Sequence, residues 1–247
     1  MKLLQAMATN NPCYKEAKPV KKITGIVVHS TGCDNELLRR YVQPSKTDKN
    51  YDTIMKDLGK NLYKNDLNEP NAEICMHAFI GQNDKGEVET YQTLPYNYCC
   101  WGCGSGSKGS YNYPPTARIQ FEICEDSLTN KSYFDKAFRE AIEYCAYLCK
   151  RFSLPVTAIS SHKESCAAGY ASAHGDPENW LTKYGKNMDW FRAEVKKLIE
   201  KEPDNDVKTL YRIQVGAYAN KANAEAHLKR LKAKGEQGFI VTVQKGE

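Results

Sequence analysis

Ile23-Thr24-Gly25-Ile26-Val27-Val28-His29 is a short, largely β-branched run that ends on an imidazole. Its composition predicts a buried strand, and the polar side chain at its C-terminal edge marks a place where a strand can deliver chemistry into a cleft. A second run, Arg118 to Cys124 (RIQFEIC), sets Ile119, Phe121 and Ile123 against Arg118, Gln120 and Glu122. That alternation predicts a strand with one apolar and one polar face. Between them, Cys75 to Gly81 (CMHAFIG) reads as a strand. Asn83-Asp84-Lys85-Gly86 is a hairpin turn signal, and Glu87 to Thr93 (EVETYQT) is the return strand. Val156 to Ser161 is a further short strand running into His162.

Helical periodicity fills the intervals. From Tyr133 to Phe152 the apolar residues recur at i, i+3 and i+4, the spacing that lays one stripe along a helix. Asn187 to Glu200 repeats the pattern, and residues 50–64 predict a shorter helix with Ile54, Met55, Leu58 and Leu62 on one face. Residues 102–116, rich in Gly, Ser, Tyr, Asn and Pro, predict a long loop of the kind that is usually functional in a compact domain.

The chain has 247 residues, 41% of them hydrophobic, enough for one full domain and a small second one. No stretch approaches the ~20 apolar residues of a membrane span, so membrane insertion is not expected. Met1 to Pro12 reads as too short and too polar for a secretory signal. A formal net charge of +5 suits an anionic target; nucleic acid is not the expected partner, since no Arg-rich stripe accompanies the charge. Ten cysteines lack paired zinc-finger spacings and are expected as reduced, mostly structural thiols. Residues 201–208 form a polar, Pro-containing linker. Beyond it, 209–247 predicts one small β-α-β unit, with strands at Tyr211–Val215 and Phe239–Val243 around a helix from Lys221 to Lys234.

Four of the five histidines, His29, His77, His162 and His174, fall in the larger domain. His29 and His162 each end a strand, and Asp176 follows in Ala173-His174-Gly175-Asp176-Pro177. Two neutral imidazoles and a carboxylate would make a three-ligand zinc set with a fourth position open to water, the catalytic rather than the structural pattern. Spacing alone does not choose this set, and His174 stands as the rival to Asp176. Glu122 lies on the polar face of its strand, where it is either a proton carrier or a solvent-facing carboxylate.

Three segments together carry a resemblance: Ile26-Val27-Val28-His29-Ser30-Thr31-Gly32, Ile119-Gln120-Phe121-Glu122-Ile123, and the block from Ser161-His162 to Asp176-Pro177-Glu178-Asn179-Trp180. Over about residues 20–200 the chain resembles the type-2 N-acetylmuramoyl-L-alanine amidases, which share their fold with peptidoglycan-recognition proteins. The resemblance implies an α/β fold with a mixed central sheet flanked by helices, spanning residues 1–200. It implies zinc-dependent hydrolysis of the amide between N-acetylmuramic acid and L-alanine in bacterial peptidoglycan, at the cell wall; with no signal read in Met1 to Pro12, cytoplasmic synthesis and an unspecified export or lysis route are expected. His29, His162 and Asp176 fall on the family's metal ligands, Glu122 on its catalytic carboxylate and His174 on its oxyanion-stabilising position. His77 and Trp101 fall on residues that line the groove. Met76 stands where some relatives have a catalytic Tyr, so that role does not carry over. The alternative from another class is a non-catalytic muropeptide-recognition protein of the same fold. The tail, Tyr211 to Tyr218 followed by Asn220 to Glu225, is similar to one half of a SPOR domain, a module that binds peptidoglycan glycan.

Overall fold

The computed structural model describes residues 1–201, 216–236 and 240. The chain divides into two compact units, Met1–Glu202 and Pro203–Glu247.

In the first unit the elements run β1 (Leu3–Gln5), α1 (Pro12–Glu16), β2 (Ile26–Ser30), α2 (Tyr51–Leu58), β3 (Ala78–Gln82), β4 (Val88–Gln92), β5 (Ile119–Ile123), α3 (Lys131–Phe152), β6 (Ile159–Ser161), α4 (His162–Ala167), α5 (Glu178–Lys183) and α6 (Met188–Glu200). Six strands form one mixed sheet in the order β1-β4-β3-β5-β2-β6. The β3–β4 pair is antiparallel, and β3, β5, β2 and β6 run parallel to one another. This is the α/β architecture expected of residues 1–200.

Strand alternation divides the sheet into two faces. On one, Ile26 and Val28 of β2, Ala78 and Ile80 of β3 and Ile119, Phe121 and Ile123 of β5 pack into a core with the buried stripe of α3. Trp180 of α5 is fully buried there, its ring 5.2 Å from that of Phe138 and 5.7 Å from that of Phe134. On the other face, Phe79 joins a cluster with Leu38, Ile54, Leu58, Met76 and Tyr91. Val27, His29, Gln120 and Glu122 point to this second side, because each is one residue out of phase with the α3-facing set.

Caps fix the helix ends. Asn130 accepts a hydrogen bond from Tyr133 N at the start of α3, and Ser153 closes it in a left-handed conformation. Ser161 and Glu164 form a reciprocal capping box at α4. Arg192 of α6 then clamps Glu164 with two hydrogen bonds, 2.8 and 3.0 Å. The start of α4 is thereby tied both to its own backbone and to the helix behind it.

Several expected boundaries differ. The helix expected over 50–64 ends at Leu58, where Gly59 takes φ +76°, and Leu62 is 74% exposed rather than on the buried face. The strand expected from Cys75 starts at Ala78, although the backbone of His77 still bonds toward both neighbouring strands, its N–H donating to Gln120 O and its carbonyl accepting from Thr93 N. The 156–161 strand is a 3-10 turn (Val156–Ala158) followed by β6. All ten cysteines are free thiols, and Cys33 and Cys166 are the ones not buried.

In the second unit, α7 (Lys221–Ala233) begins at an Asn220 cap and matches the expected helix. The flanking strands expected at Tyr211–Val215 and Phe239–Val243 lie outside the described residues, apart from Ile240, as does most of the 201–208 linker.

Candidate metal centre and active site

Parallel register builds the site. In the β5–β2 ladder His29 pairs with Glu122, and in the β2–β6 ladder Val28 pairs with Ser161. One step beyond Ser161 comes His162, the first residue of α4. Glu122, His29 and His162 therefore stand in a row across the carboxyl ends of three adjacent parallel strands, the edge at which open α/β sheets place ligands. Asp176 reaches the row from the segment before α5.

His29 Nδ1 lies 3.0 Å from His162 Nδ1 and 3.4 Å from Asp176 Oδ2; His162 Nδ1 lies 3.5 Å from Asp176 Oδ1. These three residues can each offer a ligand atom within 4.8 Å of the others, and no other such group occurs among the described residues. Asp176 Oδ2 also accepts from Ser30 N at 3.3 Å.

The electrostatics favour a cation at this point. Burial works against charge on His29, but its hydrogen bond to Asp176 and the charges of Glu122 and Asp176 outweigh it, so its pKa is raised. Burial likewise opposes ionisation of Asp176, and the contact with His29 overcomes it, so the carboxyl is held below its ordinary value. His162 is pushed down to about 4 by burial and by His29. The Nδ1 atoms of the two imidazoles face each other 3.0 Å apart. Two ring nitrogens that close, with a carboxylate alongside, form a nitrogen-and-oxygen donor set that fits Zn2+.

Glu122 is the neighbouring proton carrier. Its Oε2 is buried without a hydrogen-bond partner among the described residues. Burial lifts its pKa to about 7, against the pull of His29 and with the push of Asp176 and Glu125. The side chain as a whole is half-buried, so one carboxylate oxygen is turned inward without a partner while solvent still reaches the residue. A carboxyl balanced near neutrality can both accept and return a proton.

His174 is exposed at the rim, its ring centroid 4.6 Å from that of His162, and it stands outside the converging group. The structure thus brings Asp176, rather than its rival, to the two imidazoles. His77 corrects an expectation. It is 1% exposed, its Nδ1 accepts from Gln120 N at 3.1 Å, and its Nε2–H donates to Tyr98 O at 3.1 Å. Both ring nitrogens are occupied by backbone, so His77 stitches the 95–99 segment to β5 and does not line a groove. Trp101 is half-buried against the Phe79 cluster, its backbone bridged to Cys75 and its indole N–H buried without a partner among the described residues. Sequence reading passed over Glu125, which is buried and accepts from the Ser30 hydroxyl. It also passed over the residues behind the histidines, Gln120, Asn112 and Ser172. A separate cavity of about 370 Å³, lined by residues including Ser45, Tyr51, Asp66 and Asn68, shares no residue with this site.

A cation-seeking donor set with a proton carrier one strand away is an arrangement suited to metal-assisted hydrolysis. The chain belongs to the N-acetylmuramoyl-L-alanine amidase family, which it matches over residues 19–179. A SPOR domain matches over 183–242, so the C-terminal part carries a second peptidoglycan-binding module. The start of that match falls on the last residue of α5 and on α6, which packs against α3 in the first unit. Among solved structures, the Staphylococcus aureus hydrolase AmiA in complex with its ligand is 19% identical, with 81% of this chain and 83% of that one covered, at a TM-score of 0.50. The PlyG catalytic domain is 21% identical, with 82% and 99% covered, at 0.52. At these identities the likeness establishes the fold. No curated protein matches. No helix among the described residues is long and apolar enough to cross a membrane.

Proposed function

We propose that this peptidoglycan amidase cleaves the bond between the lactoyl group of N-acetylmuramic acid and L-alanine, with Zn2+ held by His29, His162 and Asp176. The observation that carries the reading is the convergence of those three side chains beside Glu122. A bound Zn2+ would act as a Lewis acid toward the amide carbonyl and acidify a water molecule. Glu122 takes a proton from the attacking water as its oxygen bonds to the carbonyl carbon. His174, exposed beside His162, donates a hydrogen bond to the oxygen that gains negative charge. Glu122 then gives the proton to the nitrogen of L-alanine as the C–N bond breaks. The products are a lactoyl carboxylic acid and the α-amine of L-alanine, which settle as carboxylate and ammonium, and the carboxylate of Glu122 is restored. The SPOR domain, bound to glycan, raises the enzyme's local concentration on an insoluble substrate.

Mass spectrometry of purified sacculi digested with the full chain tests the bond assignment. Stem peptides released with a free N-terminal L-alanine, and glycan retaining intact lactoyl groups, are the expected products. Cleavage within the stem peptide, or intact sacculi bound but undigested, would replace the proposal with a carboxypeptidase or a recognition protein.

A further inference from the structure

Each ligating histidine has a second ring nitrogen, and both of these lead to the same loop. Asn112 Oδ1 accepts from the backbone N–H groups of Gly102 and Cys103, at 3.2 and 3.1 Å. Two backbone donors fix that atom as oxygen, since an amide nitrogen could not accept them. Gln120 Nε2 donates to the same Oδ1 at 2.8 Å, which turns Gln120 Oε1 toward His29 Nε2, 3.1 Å away. An amide oxygen only accepts, so Nε2 of His29 carries a proton, and in the neutral, ligating form of the ring the Nδ1 lone pair faces Asp176 and His162. Gln120 is fully buried, and its Nε2 also lies 3.4 Å from Tyr111 O, a second acceptor that favours the same orientation.

His162 is wired by a parallel route. Ser172 Oγ donates its only hydrogen to Cys103 O at 3.2 Å, and Ser172 N donates to the same carbonyl at 2.8 Å. Toward His162 Nε2, 3.3 Å away, Ser172 Oγ is the acceptor when its hydrogen lies on Cys103 O, an arrangement that puts the proton on Nε2 again. Cys103, the hub of this route, also donates N–H and Sγ–H to Asn112 Oδ1. Space is as tight as the bonding: a Cβ on Gly102 would lie 2.5 Å from Gln120 Oε1.

We propose that the loop 102–112, with Gln120 and Ser172, is the positioning element that presets both histidines as Nε2–H tautomers, so that both Nδ1 atoms are presented together to one metal ion. The loop supplies no ligand itself. Its Gly-, Ser- and Asn-rich composition is what lets backbone and short side chains approach the two rings from behind. The proposal rests on the metal reading of His29, His162 and Asp176 and adds to it the origin of their geometry.

The test is zinc affinity by competition with a chromophoric chelator, combined with imidazole N–H signals in nitrogen-15 NMR spectra of the zinc-loaded full chain. Wild type should bind an equivalent of zinc and show slowly exchanging Nε2–H protons at His29 and His162, beside that of the buried His77, which serves as an internal reference. Gln120→Leu should weaken zinc binding about 10- to 100-fold and lose protection at His29 alone. Ser172→Ala should lose it at His162 alone. Gly102→Ala keeps Gln120 but displaces its oxygen, and should reproduce the His29 defect; it stands in if Gln120→Leu does not fold. Wild-type zinc affinity and both protected protons persisting in folded Gln120→Leu, Gly102→Ala and Ser172→Ala would overturn the loop's role while leaving the metal site standing. A wild-type chain that takes up no zinc would overturn the metal reading beneath it.

Discussion

Replacing Glu122 by Gln should make the protein less active and more stable at once. In the metal-free protein, burial carries the Glu122 carboxyl from its ordinary 4.5 to about 7. Holding it ionised at pH 8 thus costs the fold about 3 kcal/mol, at about 1.4 kcal/mol per tenfold change in proton affinity. Between pH 4.5 and 7 the folded chain binds more protons than the unfolded one, so stability falls as pH rises through that interval. A neutral Gln of the same shape removes this cost. It returns about 1 kcal/mol as an unpartnered amide, because Oε2 has no hydrogen-bond partner to satisfy its replacement. Urea unfolding of the chelator-treated variant should show a net gain of about 2 kcal/mol at pH 8 that fades toward pH 4.5. Turnover on purified sacculi should fall by about 10²- to 10⁴-fold. A stability difference that is absent at pH 8, or does not change with pH, would refute the buried-carboxyl argument. Undiminished turnover would refute the proton-carrier role.

His77 gives the opposite pH signature. Burial holds it down to about 4, so it stays neutral in the fold while the unfolded imidazole protonates near its ordinary 6.5. It should contribute stability that is full above pH 6.5 and is lost by about 3 kcal/mol as pH falls to 4. Comparing the acid limb of wild-type and His77→Gln unfolding curves measures it, and superimposable limbs would exclude the effect. Trp180→Ala should destabilise the first unit by about 3–5 kcal/mol in urea unfolding, since it empties a fully buried site among Tyr133, Phe134 and Phe138; a loss below 1 kcal/mol would contradict the packing described.

The parts of this fold that were legible in sequence are those written in local periodicity. Alternation in Arg118–Cys124 separates Phe121 from Glu122, and the structure sends them to opposite faces of β5. The stripe from Phe134 to Cys149 is the buried side of α3. What escaped depends on partners distant in the chain. The 50–64 pattern continues to Leu62, but Gly59 breaks the helix by leaving the conformation it needs. His77 looks no different from His29 in its local setting; only the approach of Gln120 N and Tyr98 O reveals that it is a buried bridge. The start of α4 at His162 was within reach, because Ser161-x-x-Glu164 is a capping-box signature. Gln120 was visible as part of the polar face, but its hold on His29 requires Asn112, and no local pattern links the two.

The proposed activity requires His29, His162 and Asp176 to share one ion. The direct measurement is zinc content by plasma mass spectrometry of the purified wild type and of His29→Ala, His162→Ala, Asp176→Ala and His174→Ala. Wild type and His174→Ala should each retain an equivalent of zinc per chain, and the other three should lose it. Zinc retained in Asp176→Ala but lost in His174→Ala, or retained in all four variants, would contradict it.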